Sequence, residues 1–274
     1  MQGLRPHLPR RAAFTLAEVF SPYYLSPHRI AFTLAEVLIT LGIIGVVAAM
    51  TLPVLTAKFR KIQTVNLLKA NYSILNTAIN NASVEYGTNI DDWPILGAEG
   101  YERSLYFAEH YIAPYLKVII NCKNISNTDD VCSHTLAPMT STFPEPFSFK
   151  KSNGFATMLL ANGSIISVRV WENYIDDRPT RVHIFIDING LRGPNIQGID
   201  GFLVELGGSD HNKTYNKFLP YGYSSTRNRS VYIGNTTEEG EDGNGCNSTR
   251  GNGNLCFALI LHDGWEIKSD YPWK

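Results

Sequence analysis

Residues 29–36 read RIAFTLAE, and the 21 residues that follow, Val37–Ala57, include no charged side chain. A helix of that length rises about 31 Å at about 1.5 Å per residue, which matches the core of a bilayer. We therefore predict a membrane-spanning helix over residues 32–57. Glu36 stands at the head of this helix, where an unpaired carboxylate costs on the order of 2.5–3.5 kcal/mol on insertion scales. We therefore expect Glu36 to have a function that offsets this cost.

Basic residues precede the apolar helix and predict its orientation. Residues 1–31 contain four arginines and one glutamate: Arg5, Arg10, Arg11, Arg29 and Glu18. Because basic flanks stay in the cytoplasm, the chain after the helix is expected on the other side of the membrane. A cleaved secretory signal is the alternative, but its apolar region is shorter and ends in a small-residue cleavage site. We favour a retained single-pass anchor.

The block from Ala31 to Pro53 resembles the N-terminus of type IV pilins and type II secretion pseudopilins. In that family a basic leader and a small residue precede the cleavage site, and Phe-Thr-Leu-x-Glu opens a long apolar helix. Cleavage between Ala31 and Phe32 would make Glu36 the fifth mature residue, Gly45 the fourteenth and Pro53 the twenty-second, as in the family pattern. Ala31 departs from the family, which usually has glycine there.

The resemblance implies a processing pathway and a set of partners. A prepilin peptidase of the bacterial inner membrane would remove the leader, residues 1–31, and methylate the new amine of Phe32. The chain would remain in the inner membrane with its N-terminus cytoplasmic and its C-terminal domain outside. It would then join other pilin-like subunits in a homo- or hetero-filament, with an assembly platform protein and an ATPase as further partners. The implied function is a subunit of a type II secretion pseudopilus or a type IV pilus.

Two roles are open for Glu36. Cleavage before Phe32 would create an ammonium group at the membrane edge, and Glu36 of one subunit could pair with the Phe32 amine of its neighbour. Pairing in a low-dielectric environment offsets the burial of both charges. The alternative is a glutamate that caps the first helical turn and interacts with the helix dipole. The motif AFTLAEV also occurs at residues 13–19, but no apolar run follows that copy.

The helix is expected to continue into a soluble domain, residues 58–274. Pro53 removes one backbone hydrogen bond and should kink the helix, and Gly87 is a plausible stop. Apolar residues recur at steps of three and four through residues 58–86, which predicts an amphipathic helix against a core. The stripe consists of Phe59, Ile62, Val65, Leu68, Tyr72, Leu75, Ile79, Ala82 and Tyr86.

Strand patterns follow in the second half of the chain. Residues 155–160 and 165–171 flank an Asn-Gly pair, which predicts a β-hairpin. Residues 181–188 alternate as a third strand, with Val182, Ile184 and Ile186 on one face, and residues 202–206 predict a fourth. The expected fold class is α+β and pilin-like, with an antiparallel sheet packed on the long helix. Residues 207–254 are poor in apolar side chains and predict a long surface loop, whereas residues 101–116 have helical spacing.

Four cysteines form two pairs with equal spacing: Cys122 with Cys132, and Cys246 with Cys256. No CxxC motif occurs, which disfavours a zinc or thioredoxin-like site. In an exported chain four cysteines suggest two disulfides, and three connectivities are possible. We favour the local pairing; free buried thiols are the alternative.

One loop has the spacing of hard oxygen ligands. Asp187, Asn189 and Asp200 stand among glycines, which suits calcium, although the loop differs from an EF-hand. Calcium is thus a possible cofactor with these three ligands, and no other cofactor is predicted. A plain turn between two strands is the alternative, and the resemblance offers a precedent because some major pseudopilins bind calcium in a loop.

Enzyme and nucleic-acid functions are not expected. The sequence has no HExxH, GxSxG or GxGxxG motif, which are signatures of metallopeptidase, hydrolase and dinucleotide sites. The net charge of −1 and the lack of a basic cluster in the mature part disfavour nucleic acid as a partner. The rival to a filament subunit is a membrane-anchored binding protein that does not polymerise, either with or without a dependence on calcium.

Overall fold

The computed structural model describes residues 33–88, 90–98, 100–125, 129–140, 145–171, 181–206, 217–234 and 243–273. The chain divides into two compact units, one ending at Leu52 and the other beginning at Pro53. The predictions for Ala31, for Phe32 and for the leader 1–31 lie outside the described residues.

A long helix, α1, runs from Leu34 to Tyr86. It ends where Gly87 adopts a left-handed φ of 97° and donates its amide to the carbonyl of Ser83 at 3.1 Å. A side chain would be strained in that conformation, so glycine suits this stop. The predicted extent of the helix and its stop at Gly87 are confirmed.

The part of α1 in the first unit has exposed apolar side chains. Leu38 and Ile43 are each 60% exposed, and their neighbours up to Leu52 are similar. By length and composition this helix is able to cross a membrane. Water is an unfavourable environment for so much contiguous apolar surface, so the segment calls for lipid or for other apolar helices around it.

The part of α1 in the second unit buries one face in a hydrophobic core. The buried residues are Val65, Leu68, Asn71, Leu75, Ala78, Ile79 and Ala82. The predicted stripe is confirmed from Val65 to Ala82 but is wrong at both ends, because Phe59, Ile62 and Tyr86 are 65%, 51% and 40% exposed. Helical periodicity identifies a face, whereas the extent of the core along that face depends on where the other elements pack.

The described residues after α1 form strands and short helices. The strands are β1 (Val118–Asn121), β2 (Thr135–Leu136), β3 (Phe147–Ser148), β4 (Ala156–Leu160), β5 (Ile165–Trp171), β6 (Arg181–Asp187), β7 (Gly201–Leu206) and β8 (Phe218–Pro220). The helices are α2 (Tyr101–Phe107), α3 (Arg229–Ile233) and α4 (Cys256–His262). A π-helical turn, Ala108–Ile112, and a 3-10 turn, Ala113–Tyr115, continue α2.

Six of these strands form one antiparallel sheet in the order β1-β4-β5-β6-β7-β8, and β2 pairs with β3 as a separate ribbon. The fold is therefore α+β, with a long N-terminal helix and an antiparallel sheet. The predicted face of β6 is confirmed, because Val182, Ile184 and Ile186 lie in the same buried cluster as Leu68 and Leu75 of α1. On the opposite face of the sheet a smaller cluster contains Leu136, Phe149, Phe155, Phe185 and Leu203.

The surface loop predicted for residues 207–254 is wrong for two described parts of it. Phe218 of β8 is fully buried and donates its amide to Asn76 Oδ1 on α1 at 2.9 Å. In α3, Val231 and Tyr232 are buried. The segment as a whole has a polar composition, which led to the prediction of a surface loop. Its few apolar side chains nevertheless pack into the core.

Both disulfides have the local connectivity. Cys122 bonds to Cys132 with their Cα atoms 5.4 Å apart, and Cys246 bonds to Cys256 with Cα atoms 4.7 Å apart. The favoured pairing is confirmed and the free-thiol alternative is wrong. Each bond closes a short loop and restricts the unfolded chain by about 2–3 kcal/mol.

Candidate functional site

Two places in the structure correspond to the predicted functional residues. The first is the start of α1. The amide and the hydroxyl of Thr33 both donate to Glu36 Oε2, at 2.8 and 2.9 Å, and the amide of Glu36 donates to Thr33 Oγ1 at 3.2 Å. This reciprocal arrangement is a capping box, in which two side chains satisfy amides that have no partner within the helix.

The capping box uses one of the two oxygens of the Glu36 carboxylate. All its hydrogen bonds to described residues use Oε2, and no described Lys, Arg or His forms an ion pair with it. The side chain is exposed. Glu36 can therefore cap its own helix and accept a further donor through Oε1, so the two roles considered for it are compatible.

Pro53 lies inside α1, at the first residue of the second unit. Proline has no amide to donate to the carbonyl four residues earlier. The hydroxyl of Thr56 donates to the Pro53 carbonyl at 3.0 Å, and the hydroxyl of Thr51 donates to the Val47 carbonyl at 3.0 Å. The helix continues through the proline, and the predicted kink stays a prediction.

The second place is the turn between β6 and β7, where the structure brings together Asp187, Asn189 and Asp200. Asn189 donates its backbone amide to Asp187 Oδ1 at 3.1 Å and its side-chain amide to Asp200 Oδ2 at 3.3 Å. The backbone amides of Asn195 and Ile196 donate to the two oxygens of Asp200 at 2.8 and 2.7 Å. The two carboxylates thus stabilise the turn by accepting hydrogen bonds from its backbone amides.

Sequence reasoning missed His134, whose Nε2 lies 2.9 Å from Asp187 Oδ2. Both side chains are almost fully buried. The two residues are 53 positions apart, so no local pattern could have joined them. Burial raises the pKa of Asp187, and burial together with the nearby Asp187 charge raises the pKa of Asp200 to about 6.

The fit of calcium to this turn is incomplete. The side-chain oxygens of Asn189 and Asn195 are buried and have no hydrogen-bond partner among the described residues. A site for a hard cation would use such oxygens as ligands. However, every oxygen of the two carboxylates already accepts a hydrogen bond from the chain or contacts His134. Among the described residues no group of three or more His, Cys, Asp or Glu is suited to hold a metal. As described, the residues form an internally capped turn, and the calcium site stays a prediction.

Comparison with known proteins gives one family. Residues 54–274 match the family of unknown function DUF6613. The chain belongs to this family. Its match begins one residue after Pro53, where the second compact unit starts, and covers that unit almost completely. No curated protein and no solved structure matches the chain.

Proposed function

We propose that this member of DUF6613 is a pilin-like subunit of a type II secretion pseudopilus or a type IV pilus. In this proposal a prepilin peptidase cleaves between Ala31 and Phe32, and the α1 segment 32–57 anchors the subunit in the inner membrane. The C-terminal domain lies outside the membrane. Assembly then pairs Glu36 of one subunit with the Phe32 amine of the next.

The observation that carries the proposal is Glu36 at the head of an uncharged helix, with its Oε1 accepting no hydrogen bond from the described residues. A cap alone needs only Oε2, which both Thr33 donors share. An ammonium group can approach Oε1 without breaking the cap. Both charges would lie in apolar surroundings, where a pair is strong but an unpaired carboxylate is costly. The pair would fix the axial offset between subunits.

The division of α1 supports the same proposal. Its first part has exposed apolar side chains throughout, as a lipid-stored segment or a filament core requires, whereas its second part is built into the sheet domain. The family match begins with the second part. One helix therefore joins a segment suited to apolar surroundings to a disulfide-bonded α+β domain suited to an oxidising compartment.

The two roles of Glu36 can be separated by substitution. Glu36→Gln keeps a side chain that completes a capping box but removes the charge, whereas Thr33→Ala removes the capping hydroxyl and keeps the charge. We expect Glu36→Gln to insert into the membrane and lose filament assembly. Thr33→Ala should assemble, since its cost is about 1 kcal/mol of helix stability. Cross-linking and electron microscopy of filaments in the native host would measure assembly.

Filaments from Glu36→Gln at the yield of the unmodified chain would show that the carboxylate is only a cap. The mass of the mature protein from its native membrane provides an independent check. It should show loss of residues 1–31 and one added methyl group. Abundance of the chain in sheared surface filaments would favour a pilus over a secretion pseudopilus.

A membrane-anchored binding protein that does not polymerise is the second candidate. The unpartnered oxygens of Asn189 and Asn195 favour it, because they would suit a bound cation in the β6–β7 turn. In that case Glu36 would be dispensable, and Glu36→Gln would retain all function.

A further inference from the structure

A groove with a volume of about 660 Å³ lies between α1 and the chain segment after α4. Its α1 wall starts at Val54 and Ala57, which are in the last turn of the uncharged run, and continues to Lys69. Its other wall consists of Trp265, Glu266, Ile267 and Ser269. All the lining residues belong to the second compact unit.

The charges in this groove are mostly positive. Lys58, Lys61 and Lys69 line it from α1, and the one acidic residue in its lining is Glu266. Steps of three and eight residues place the three lysines along one face of the helix. None of them forms an ion pair with a described carboxylate, although Lys69 Nζ lies 5.3 Å from the ring centroid of Trp265. The groove thus offers ammonium groups to an anion.

The wall opposite α1 is held at both ends. Arg229 of α3 donates to Asp263 through Nε at 2.7 Å and to Asp270 through Nη1 at 2.6 Å. Asp263 and Asp270 flank the segment 264–269. Trp265 packs on Tyr72 of α1 with ring centroids 5.8 Å apart, and Ile267 is buried. The groove is therefore preformed, which lowers the entropy cost of binding a ligand.

We propose that this groove binds the headgroup of an anionic phospholipid. The groove is apolar at the end of the uncharged run of α1 and basic further along the helix. A phospholipid has the same order, with apolar acyl chains followed by a charged phosphate. Cations beside the translocated end of a membrane helix run against the usual charge bias, so their presence there calls for a reason. The inference rests on the membrane anchoring in the proposed function and not on polymerisation.

The test uses the full chain in detergent micelles, titrated with short-chain phosphatidylglycerol or phosphatidylcholine and followed by native mass spectrometry. We expect one phosphatidylglycerol per chain and a clear preference over phosphatidylcholine. Lys58→Gln/Lys61→Gln should weaken phosphatidylglycerol binding roughly thirtyfold, at about 1 kcal/mol per cation near the membrane surface. The matched control is Arg60→Gln, since Arg60 lies between the two lysines but does not line the groove.

Equal weakening by Arg60→Gln would overturn the inference, because binding would then follow general surface charge. So would displacement of the lipid by inorganic phosphate at the same concentration, which would show a phosphate site rather than a lipid site. Unchanged phosphatidylglycerol affinity in the lysine variant would also overturn the inference, because the lysines would then not hold the headgroup. Because the assay uses unassembled subunits, its failure would leave the Glu36 test of the filament unaffected.

Discussion

Asn71 of α1 and Ser164 at the end of the β4–β5 turn are joined by a hydrogen bond of 2.7 Å from Ser164 Oγ to Asn71 Oδ1. The side-chain amide of Asn162 donates to the same oxygen at 3.0 Å, and Asn71 Nδ2 donates to the Leu67 carbonyl at 2.9 Å. Asn71 is only 2% exposed. This polar contact within the hydrophobic interface aligns the hairpin along the helix.

We expect Asn71→Ala to destabilise the chain by about 1–3 kcal/mol, because it removes the acceptor of two side-chain donors, one of them on the fully buried Ser164. Urea unfolding of the full chain in mild detergent, followed by tryptophan fluorescence, would measure the free energy of unfolding. Gln63→Ala on the exposed side of α1 is the control and should change it by less than about 0.5 kcal/mol. Equal effects of the two variants would show that the contact does not stabilise the domain.

We expect His183 to make the stability of the folded chain depend on pH. It pairs in register with Arg169 of β5 and Glu205 of β7, and its Nε2 lies 3.8 Å from Glu205 Oε2. Burial, aided by the charges of Arg181 and Arg169, lowers the pKa of His183 to about 4. The unfolded chain therefore binds this proton more tightly than the folded chain. Stability from this group is complete above the ordinary pKa of about 6.5 and falls as pH drops from there to about 4.

We expect this loss to amount to roughly 1–3 kcal/mol between pH 6.5 and 4. His183→Phe removes the titrating group, so the unfolding free energy of the unmodified chain should fall relative to that of the variant as the pH drops over that range. Asp200 acts in the opposite direction, because its pKa is raised to about 6 and protonation below that pH favours the folded chain. Asp200 is present in both chains, so its contribution to the unfolding free energy cancels in the comparison. A constant difference across the range would contradict the assignment.

Calcium binding can be tested by thermal unfolding of the full chain. If Asp187, Asn189 and Asp200 hold calcium, excess calcium should raise the melting temperature, with about 2.7 kcal/mol of stabilisation at a hundredfold excess over Kd. A chelator should reverse the shift, and Asn189→Ala should reduce it. Glu109→Gln, far from the turn in sequence, should leave it intact. A melting temperature that does not change with calcium would contradict the calcium site. The turn would then be only a connection stabilised by its own hydrogen bonds.

The sequence predicted those parts of the fold whose signals are local. Helical periodicity identified the buried face from Val65 to Ala82, and Gly87 marked the end of α1. The Asn162-Gly163 pair located the hairpin, where Gly163 adopts a φ of 86°. The spacing of the cysteines favoured the pairing that the structure has. At the site, Asp187, Asn189 and Asp200 were identified because they lie in one short segment.

Features that depend on distant contacts could not be predicted in this way. The edge strands β1 and β8 are short, with four and three residues, and are strands only because β4 and β7 pair with them. Asn71 is a polar residue on an apolar face of α1. Its burial is explained by the hydrogen bond from Ser164, which is distant in sequence. His134 meets Asp187 from another part of the chain.

Sequence alone determined the long helix, its uncharged first part and the glutamate at its head, since each follows from residues within a few turns of one another. It favoured the local disulfides without fixing them. Tertiary structure decided where the core begins along α1, how the two carboxylates of the β6–β7 turn are satisfied, and that Lys58, Lys61 and Lys69 line a groove with Trp265. These depend on which surfaces meet, and that is set by the packing of elements that are far apart in the chain.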